Sequence, residues 1–150
     1  MEEIKIIPMT GKHIKEIAEL EKVCFSQPWS ENSLLEELDN HTAQFLTAVD
    51  EDGKVAGYIG SFVVCESCYI SNIAVFPQYR RKGIGRALIS ALFSLAKEKG
   101  AESVSLEVRP SNDTAISLYN VMGFEEVGLR KNFYRNPTED ALIMTYSFDK

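Results

Sequence analysis

Apolar residues recur along the chain with two different periods, and these periods separate helices from strands. Over residues 84–95 they are spaced three and four apart, which predicts a long amphipathic helix with Gly100 as its C-terminal cap. Over residues 103–109 apolar and polar positions alternate, which predicts a strand with one buried face. A strand predicted over residues 69–75 precedes the helix, so the three elements form a crossover between two parallel strands.

The remaining elements are marked by capping residues, a turn pair or a period of two. In chain order they are a strand at 4–7, helices capped by Thr10 and Ser30, a hairpin of strands 45–49 and 55–64 around Asp52-Gly53, a helix capped by Ser111 that closes at Gly123, and strands at about 124–134 and 141–148. The predicted order is β-α-α-β-β-β-α-β-α-β-β. This is an α/β fold with a mixed sheet and helices on both faces, and we expect a single domain over residues 1–150.

Composition and charge disfavour several classes of protein. The chain has 150 residues, of which 45% are hydrophobic and 25% charged, as in ordinary globular domains. The formal net charge of -6 is opposite in sign to that of most nucleic-acid-binding proteins. No segment approaches the roughly 18 apolar residues of a membrane span, and the N-terminus lacks an export signal. We therefore expect a cytoplasmic monomer or weak dimer that binds neither nucleic acid nor membrane.

Three cysteines raise the question of a metal or redox site. Cys65 and Cys68 have C-x-x-C spacing, but a zinc site needs a second ligand pair. The other candidate ligands are scattered on separate segments: Cys24, His13 and His41. Redox pairs of this spacing usually open a helix, whereas this pair lies between two predicted strands. We therefore predict reduced thiols in a turn and no metal.

A basic loop at residues 80–86 is the most informative local pattern. It joins a predicted strand to a predicted helix, where backbone N–H groups and the helix dipole attract anions. Gly83 and Gly85 allow close approach of a phosphate to the backbone. Three side chains add positive charge: Arg81, Lys82 and Arg86. The pattern fits a polyphosphate site or a solvated turn, while the Walker lysine and the glycine spacing of dinucleotide folds are both missing.

Together with Asn72-Ile73-Ala74-Val75 before it, Arg80-x-x-Gly83-x-Gly85 resembles the coenzyme A pyrophosphate loop of the GNAT N-acetyltransferases. The order of elements is similar to that family over essentially the whole chain. Three further segments resemble its RimI-type members, which acetylate the N-terminal alanine of a small-subunit ribosomal protein. They are Cys-Phe-Ser-Gln-Pro-Trp-Ser at 24–30, Leu-Glu-Val-Arg-Pro-Ser-Asn at 106–112, and Ala-Ile-Ser-Leu-Tyr at 115–119 leading to Gly-Phe at 123–124.

The resemblance implies an enzyme that uses acetyl-CoA as co-substrate to acetylate the N-terminal amine, with alanine first, of a ribosomal or other protein. Two alternatives stay open: a GNAT enzyme for a small amine such as a polyamine, an antibiotic or an amino acid, and a non-catalytic acetyl-CoA sensor. Two catalytic residues are also implied. Glu107 is the general base, acting through water, and Tyr119 is the acid that protonates the thiolate. By pattern alone, Glu107 also fits an exposed strand position and Tyr119 a core aromatic.

The coenzyme contacts are expected on the strand, the loop and the last helix. Residues 73–75 should diverge from the parallel neighbour near Glu107, which frees backbone groups for pantetheine and makes the amide of Ala74 or Val75 the oxyanion donor. Asn112 resembles a family residue that contacts the cofactor and fits a helix cap equally well. The full predicted set is Ile73, Ala74, Val75, Arg81, Lys82, Gly83, Ile84, Gly85, Arg86 and Asn112.

By the same resemblance, the acceptor's N-terminus would lie between two loops. One is the segment at residues 25–30, and the other is the turn after Tyr134. Trp29 and Tyr134 fit either the lining of this groove or the core.

Overall fold

Helices and strands follow one another in the order that the hydrophobic pattern predicts. A computed structural model describes residues 3–148, so residues 1–2 and 149–150 of the predicted domain lie outside the described residues. The strands are β1 (Lys5–Pro8), β2 (Leu46–Val49), β3 (Val55–Val64), β4 (Ser67–Val75), β5 (Ser103–Val108), β6 (Glu125–Tyr134) and β7 (Glu139–Ser147). The α-helices are α1 (Ile14–Cys24), α2 (Glu31–Glu37), α3 (Ile84–Glu98) and α4 (Asp113–Val121). The predicted α/β class is confirmed. Within residues 3–148, no helix is long and apolar enough to cross a membrane.

The strands form one mixed sheet in the order β1-β2-β3-β4-β5-β7-β6. Only the β4–β5 pair is parallel among these strands, as the α3 crossover predicts. This pairing ends at Ile70 opposite Leu106, because β4 contains a bulge directly beyond that point. Gly60 pairs with Asn72 whereas Ser61 pairs with Ile70, so Ser71 is an extra residue that bends the strand. The predicted divergence of β4 from β5 is therefore confirmed.

Helices cover both faces of the sheet, each over its own apolar core. On one face α1 and α2 bury Ile17 and Leu34 against Phe45, which directly precedes β2, and Tyr58 of β3. On the other face α3 and α4 pack against the alternate positions, with the core residues Leu88, Leu92, Ile59, Val104, Tyr119 and Phe124. Because side chains alternate along a strand, β3 supplies apolar residues to both layers, whereas β5 supplies them only to the layer of α3 and α4.

Three predicted helix caps have different outcomes. Ser30 caps α2 as predicted, since its hydroxyl accepts a hydrogen bond from the Ser33 N–H at 3.1 Å. Thr10 precedes a 3-10 turn, Gly11–His13, and α1 begins only at Ile14. The prediction that Ser111 caps α4 is wrong.

The cap of α4 is Asn112, whose side-chain oxygen accepts from the Ala115 N–H at 3.2 Å. Ser111 instead binds Glu139, whose carboxylate accepts from the serine N–H and from its hydroxyl, each at 2.9 Å.

Candidate active site

An opening between β4 and β5 marks the centre of the candidate site. Ile73, Ala74 and Val75 pair with β3 on one edge, and their other edge has separated from β5. An extended strand presents N–H and C=O groups on both edges, so the separated edge offers hydrogen bonds to a ligand lying along it. Opposite this strand, Gly57 allows close packing, because a Cβ there would lie 2.7 Å from the Ala74 carbonyl oxygen.

The basic loop lies at the N-terminus of α3, beyond the end of β4. Gly83 is the residue before the helix and has a φ of 78°, a left-handed conformation that favours glycine. The cations of the loop, Arg81, Lys82 and Arg86, are all exposed. Tyr79 fixes the loop to the residue that follows β2, because its hydroxyl donates to Asp50 Oδ2 at 2.7 Å. Positive charge, a helix N-terminus and a fixed loop therefore coincide at one place.

Two of the predicted loop residues have a further packing role. The Ile84 side chain is 4% exposed in the core, so only its backbone faces the loop. A Cβ at Gly85 would lie 3.2 Å from the Leu118 side chain, so this glycine allows α3 to approach α4. The Arg80 side chain lies against β4 and donates its Nε–H to the Val75 carbonyl oxygen at 3.0 Å.

Glu107 lies on β5 where that strand leaves β4, and its side chain is only 5% exposed. The Tyr69 hydroxyl donates to Oε1, and Arg130 Nε lies 2.6 Å from Oε2. The exposed-strand interpretation of Glu107 therefore does not describe its surroundings. A carboxylate held in this way is oriented towards β4 and β6 rather than towards bulk water.

Tyr119 lies on the inner side of α4 and is 6% exposed. Its ring packs against Phe124 with 5.7 Å between centroids. Burial, followed by interaction with Tyr134, raises the pKa of the Tyr119 hydroxyl. Tyr134 is in turn affected by Glu107, and its pKa is raised to about 12, mainly by burial. Tyr134 thus interacts electrostatically with both predicted catalytic residues, Glu107 and Tyr119.

The turn between β6 and β7 is held by Arg109. Its guanidinium donates to the Pro137 carbonyl at 2.8 Å and to the Arg135 carbonyl at 2.9 Å, and it lies 4.4 Å from the Tyr134 ring centroid. Glu139 pairs with the same guanidinium at 3.3 Å. Tyr134 is consequently held beside the site under Arg109, as the groove interpretation requires.

The α1–α2 loop reaches the same turn. Ser26 donates its hydroxyl to the Arg135 carbonyl at 3.3 Å, so the two loops predicted to flank the acceptor do meet. Trp29 instead points towards the core, where its ring lies 5.8 Å from that of Phe45. The backbone N–H of Trp29 donates to the buried carboxylate of Glu21 at 2.8 Å.

Two of the cysteines, Cys65 and Cys68, lie on the β3–β4 hairpin, whereas Cys24 borders the site through Val75 and Arg80. Cys65 is exposed at the β3–β4 turn with a φ of 56°, whereas Cys68 is buried. Cys24 is half-buried, and Arg80 Nη2 lies 3.4 Å from its sulfur. Among residues 3–148, no group of three or more His, Cys, Asp or Glu side chains is arranged to hold a metal ion.

Comparison with known proteins identifies the family. Residues 14–124 match the acetyltransferase (GNAT) family over more than half of the chain. The chain belongs to the GNAT acetyltransferase family. Within this family, it is 42% identical over 137 residues to a candidate ribosomal protein bS18-alanine N-acetyltransferase of Bacillus subtilis, covering 91% of this chain and 90% of the relative. It is 37% identical over 129 residues to the ribosomal protein bS18-alanine N-acetyltransferase of Escherichia coli K12, covering 83% and 84%.

A solved GNAT structure supports the same group. The crystal structure of the ribosomal-protein-S18-alanine N-acetyltransferase from Escherichia coli has a TM-score of 0.87 and 31% identity, and the match covers 97% of this chain and 94% of that one. The predicted resemblance to RimI-type members of the GNAT family is confirmed.

Several residues of this GNAT site were not predicted from the sequence. Tyr69 and Arg130 hold Glu107, Arg109 holds the β6–β7 turn, and Asp50 holds Tyr79. The alternation of β5 already placed Arg109 on the same face as Glu107, which was a usable signal. No local pattern indicated the others, because each partner lies at least 23 positions away in sequence, as with Arg130 and Glu107.

Proposed function

We propose that this chain is an acetyl-CoA-dependent N-acetyltransferase that acetylates the N-terminal amine, with alanine first, of a ribosomal protein. The observation that carries the proposal is the edge of β4 that has separated from β5, with the 5% exposed side chain of Glu107 at the point of separation. The names of the two relatives support the choice of acceptor.

The residues beside β4 fit acetyl-CoA. Pantetheine amides would pair with the backbone of Ile73, Ala74 and Val75, whose outer edge has no strand partner beyond Ile70. The pyrophosphate would bind at the N-terminus of α3, where Gly83 and Gly85 bracket the first backbone N–H groups. The positive side chains there are Arg81, Lys82 and Arg86. Asn112 would add a contact through its side-chain nitrogen, since its oxygen caps α4.

The chain's own residues supply the proton transfers and the charge stabilisation that amide formation requires. Bound acetyl-CoA supplies an acetyl thioester. Glu107 pairs with the acceptor ammonium, and a water molecule relays to this carboxylate the proton that the ammonium must lose before its nitrogen can attack. A backbone N–H of Ala74 or Val75 donates to the carbonyl oxygen as negative charge develops on it. Tyr119 donates its proton to the sulfur as the carbon–sulfur bond breaks.

The raised pKa of Tyr119 is compatible with this role. Burial keeps the proton on the hydroxyl at neutral pH, so the acid form is present when it is needed. A thiolate formed at the same buried place is desolvated too, which raises its own affinity for a proton. Proton transfer between the two groups is therefore less unfavourable than the hydroxyl's pKa alone suggests.

The test is acetyl-CoA turnover with short peptides that differ only in their first residue. We expect acetylation of free N-termini, fastest with alanine, and none of the same peptides with blocked N-termini, even where they carry lysine. A polyamine and free amino acids serve as small-amine acceptors in parallel. Turnover of small amines alone would contradict the proposed acceptor while leaving the GNAT reaction in place, and binding of acetyl-CoA without turnover would contradict catalysis.

We also propose that residues 1–150 form one domain that works in the cytoplasm as a monomer or weak dimer, without nucleic acid or membrane. The net charge of -6 supports the absence of nucleic-acid binding. Two cores packed against a single sheet support one domain. Sedimentation velocity over a range of concentrations tests the oligomeric state, and a stable tetramer would contradict it.

A further inference from the structure

Arg130 covers the solvent side of the Glu107 carboxylate. Its Nε lies 2.6 Å from Glu107 Oε2, while the Tyr69 hydroxyl donates to Oε1. The Glu107 side chain is 5% exposed and the Arg130 side chain is 59% exposed. A group that approaches Oε2 from solvent therefore meets the guanidinium first.

The contact with Arg130 is of a kind that exchanges easily. The guanidinium end of the pair is 59% exposed, so water screens it and solvates the guanidinium when it leaves, while the buried carboxylate keeps the Tyr69 hydroxyl as a donor. The Arg130 backbone is fixed in β6 opposite Ala141, so its side chain can move without a change in the sheet. Beyond Glu107, the guanidinium has a loose contact with the Phe133 ring, at 5.9 Å from the centroid.

The guanidinium and the acceptor share the chemistry that Oε2 recognises. A protonated N-terminal amine is a cation with several N–H donors, and so is a guanidinium. One carboxylate oxygen at the base of a narrow approach cannot bind both in the same position. Among the described residues, the Tyr69 hydroxyl on β4 also donates to Glu107, and Tyr134 on β6 interacts with it electrostatically; neither group carries positive charge.

We propose that Arg130 occupies the binding position of the acceptor ammonium at Glu107, so that an acceptor binds productively only by displacing this guanidinium. This inference rests on the proposed function, because it takes Glu107 as the base for the acceptor amine. Arg130 is then a specificity-determining residue: it favours acceptors that replace one cation by another and disfavours neutral groups such as hydroxyls, which would leave Glu107 without a positive partner.

The test compares Arg130→Gln with a matched variant, Lys131→Gln. Both remove one positive charge from neighbouring exposed positions of β6, but of the two side chains only that of Arg130 forms an ion pair with Glu107. For Arg130→Gln we expect kcat/KM for an alanine-first peptide to rise about two- to fivefold, the range set by the small net value of such a pair. The KM for acetyl-CoA should stay unchanged. Lys131→Gln should match the wild type in both.

Methylguanidinium at millimolar concentration provides a second measurement that a purely structural role would not affect. It should inhibit Arg130→Gln in competition with the peptide. Inhibition of the wild type should be several-fold weaker, because the wild type carries its own guanidinium at that position. Lower or equal kcat/KM in Arg130→Gln, or equal inhibition of both proteins, would overturn the proposal. Far-ultraviolet circular dichroism of both variants verifies that they are folded.

Failure of this inference can be distinguished from failure of the proposed function. Wild-type turnover of alanine-first peptides tests the function and does not depend on Arg130. The comparison of Arg130→Gln with Lys131→Gln is made with whichever amine the wild type acetylates. If peptides are acetylated and the two variants behave alike, the function stands and the role of Arg130 is refuted.

Discussion

Two tyrosines, Tyr119 and Tyr134, lie in surroundings that hold their protons. Burial raises the pKa of Tyr119, and burial together with the Glu107 carboxylate raises the pKa of Tyr134 to about 12. Both hydroxyls are therefore neutral donors at physiological pH. They differ in position, since Tyr119 lies in the core against Phe124 whereas Tyr134 lies under the Arg109 guanidinium. The buried position suits a group that meets a sulfur atom inside the site.

Tyr119→Phe should lower kcat on the order of 100-fold, the usual contribution of a positioned acid. Coenzyme affinity, measured by calorimetry, should change little because the ring still packs against Phe124. The matched control is Tyr146→Phe, which removes a hydroxyl from another tyrosine beside Phe124, at 6.1 Å between centroids. Equal rates for Tyr119→Phe and the control would remove Tyr119 from the mechanism.

At the scale of elements, the coenzyme loop depends on a turn that is distant in sequence. The β2–β3 turn presents Asp50, whose carboxylate accepts from the Tyr79 hydroxyl at 2.7 Å and from the N–H groups of Asp52 and Lys54. These bonds, led by that of Tyr79, hold the pKa of Asp50 below its ordinary value. The turn and the loop are thereby fixed to each other while the loop's cations stay exposed.

Asp50→Asn should raise the KM for acetyl-CoA about fivefold, because one hydrogen bond to the loop is weakened. The expected change in kcat is small, since Glu107 and Tyr119 are not affected. Asp52→Asn, in the same turn, is the control for the change in charge and should resemble the wild type. A normal KM for Asp50→Asn together with a reduced kcat would contradict an anchoring role.

At the scale of the whole molecule, Glu21 joins the helical layer to the sheet. It is fully buried on α1 and accepts from the Tyr58 hydroxyl, from Asn72 Nδ2 at 2.9 Å and from the Trp29 N–H. These donors belong to β3, to β4 beside its bulge and to the α1–α2 loop. Burial raises the pKa of Glu21, although the hydrogen bonds oppose this shift.

The raised pKa of Glu21 has a definite sign for stability. Because the folded value lies above the unfolded value of about 4.3, the contribution of Glu21 is full below that pH and is lost as the pH rises through the folded value. Glu21→Gln does not titrate, so the melting temperature of the wild type should fall relative to this variant as the pH rises above about 4. Glu19→Gln, exposed on the same helix, is the control for removal of a carboxylate from α1. The opposite slope would contradict the shift.

The order of elements, the amphipathic faces and the position and positive charge of the loop before α3 could be determined from the sequence alone. Each depends on residues within a few positions of one another: the period of α3, the alternation of β5, the cap at Ser30 and the glycines at 83 and 85. Such local patterns follow from the side-chain periods of helices and strands, so each is visible within one segment of the sequence.

Only the tertiary structure decided which side chains meet. Asn112 rather than Ser111 caps α4, because Glu139, 28 positions from Ser111, binds the serine. Glu21 binds Asn72, 51 positions away, and Arg130 on β6 reaches Glu107 on β5 across the intervening strand β7. These contacts depend on strand register, on the bulge at Ser71 and on side-chain direction, and none of them leaves a period in the sequence. Position in the sheet, rather than residue type, therefore determines the surroundings of Glu107.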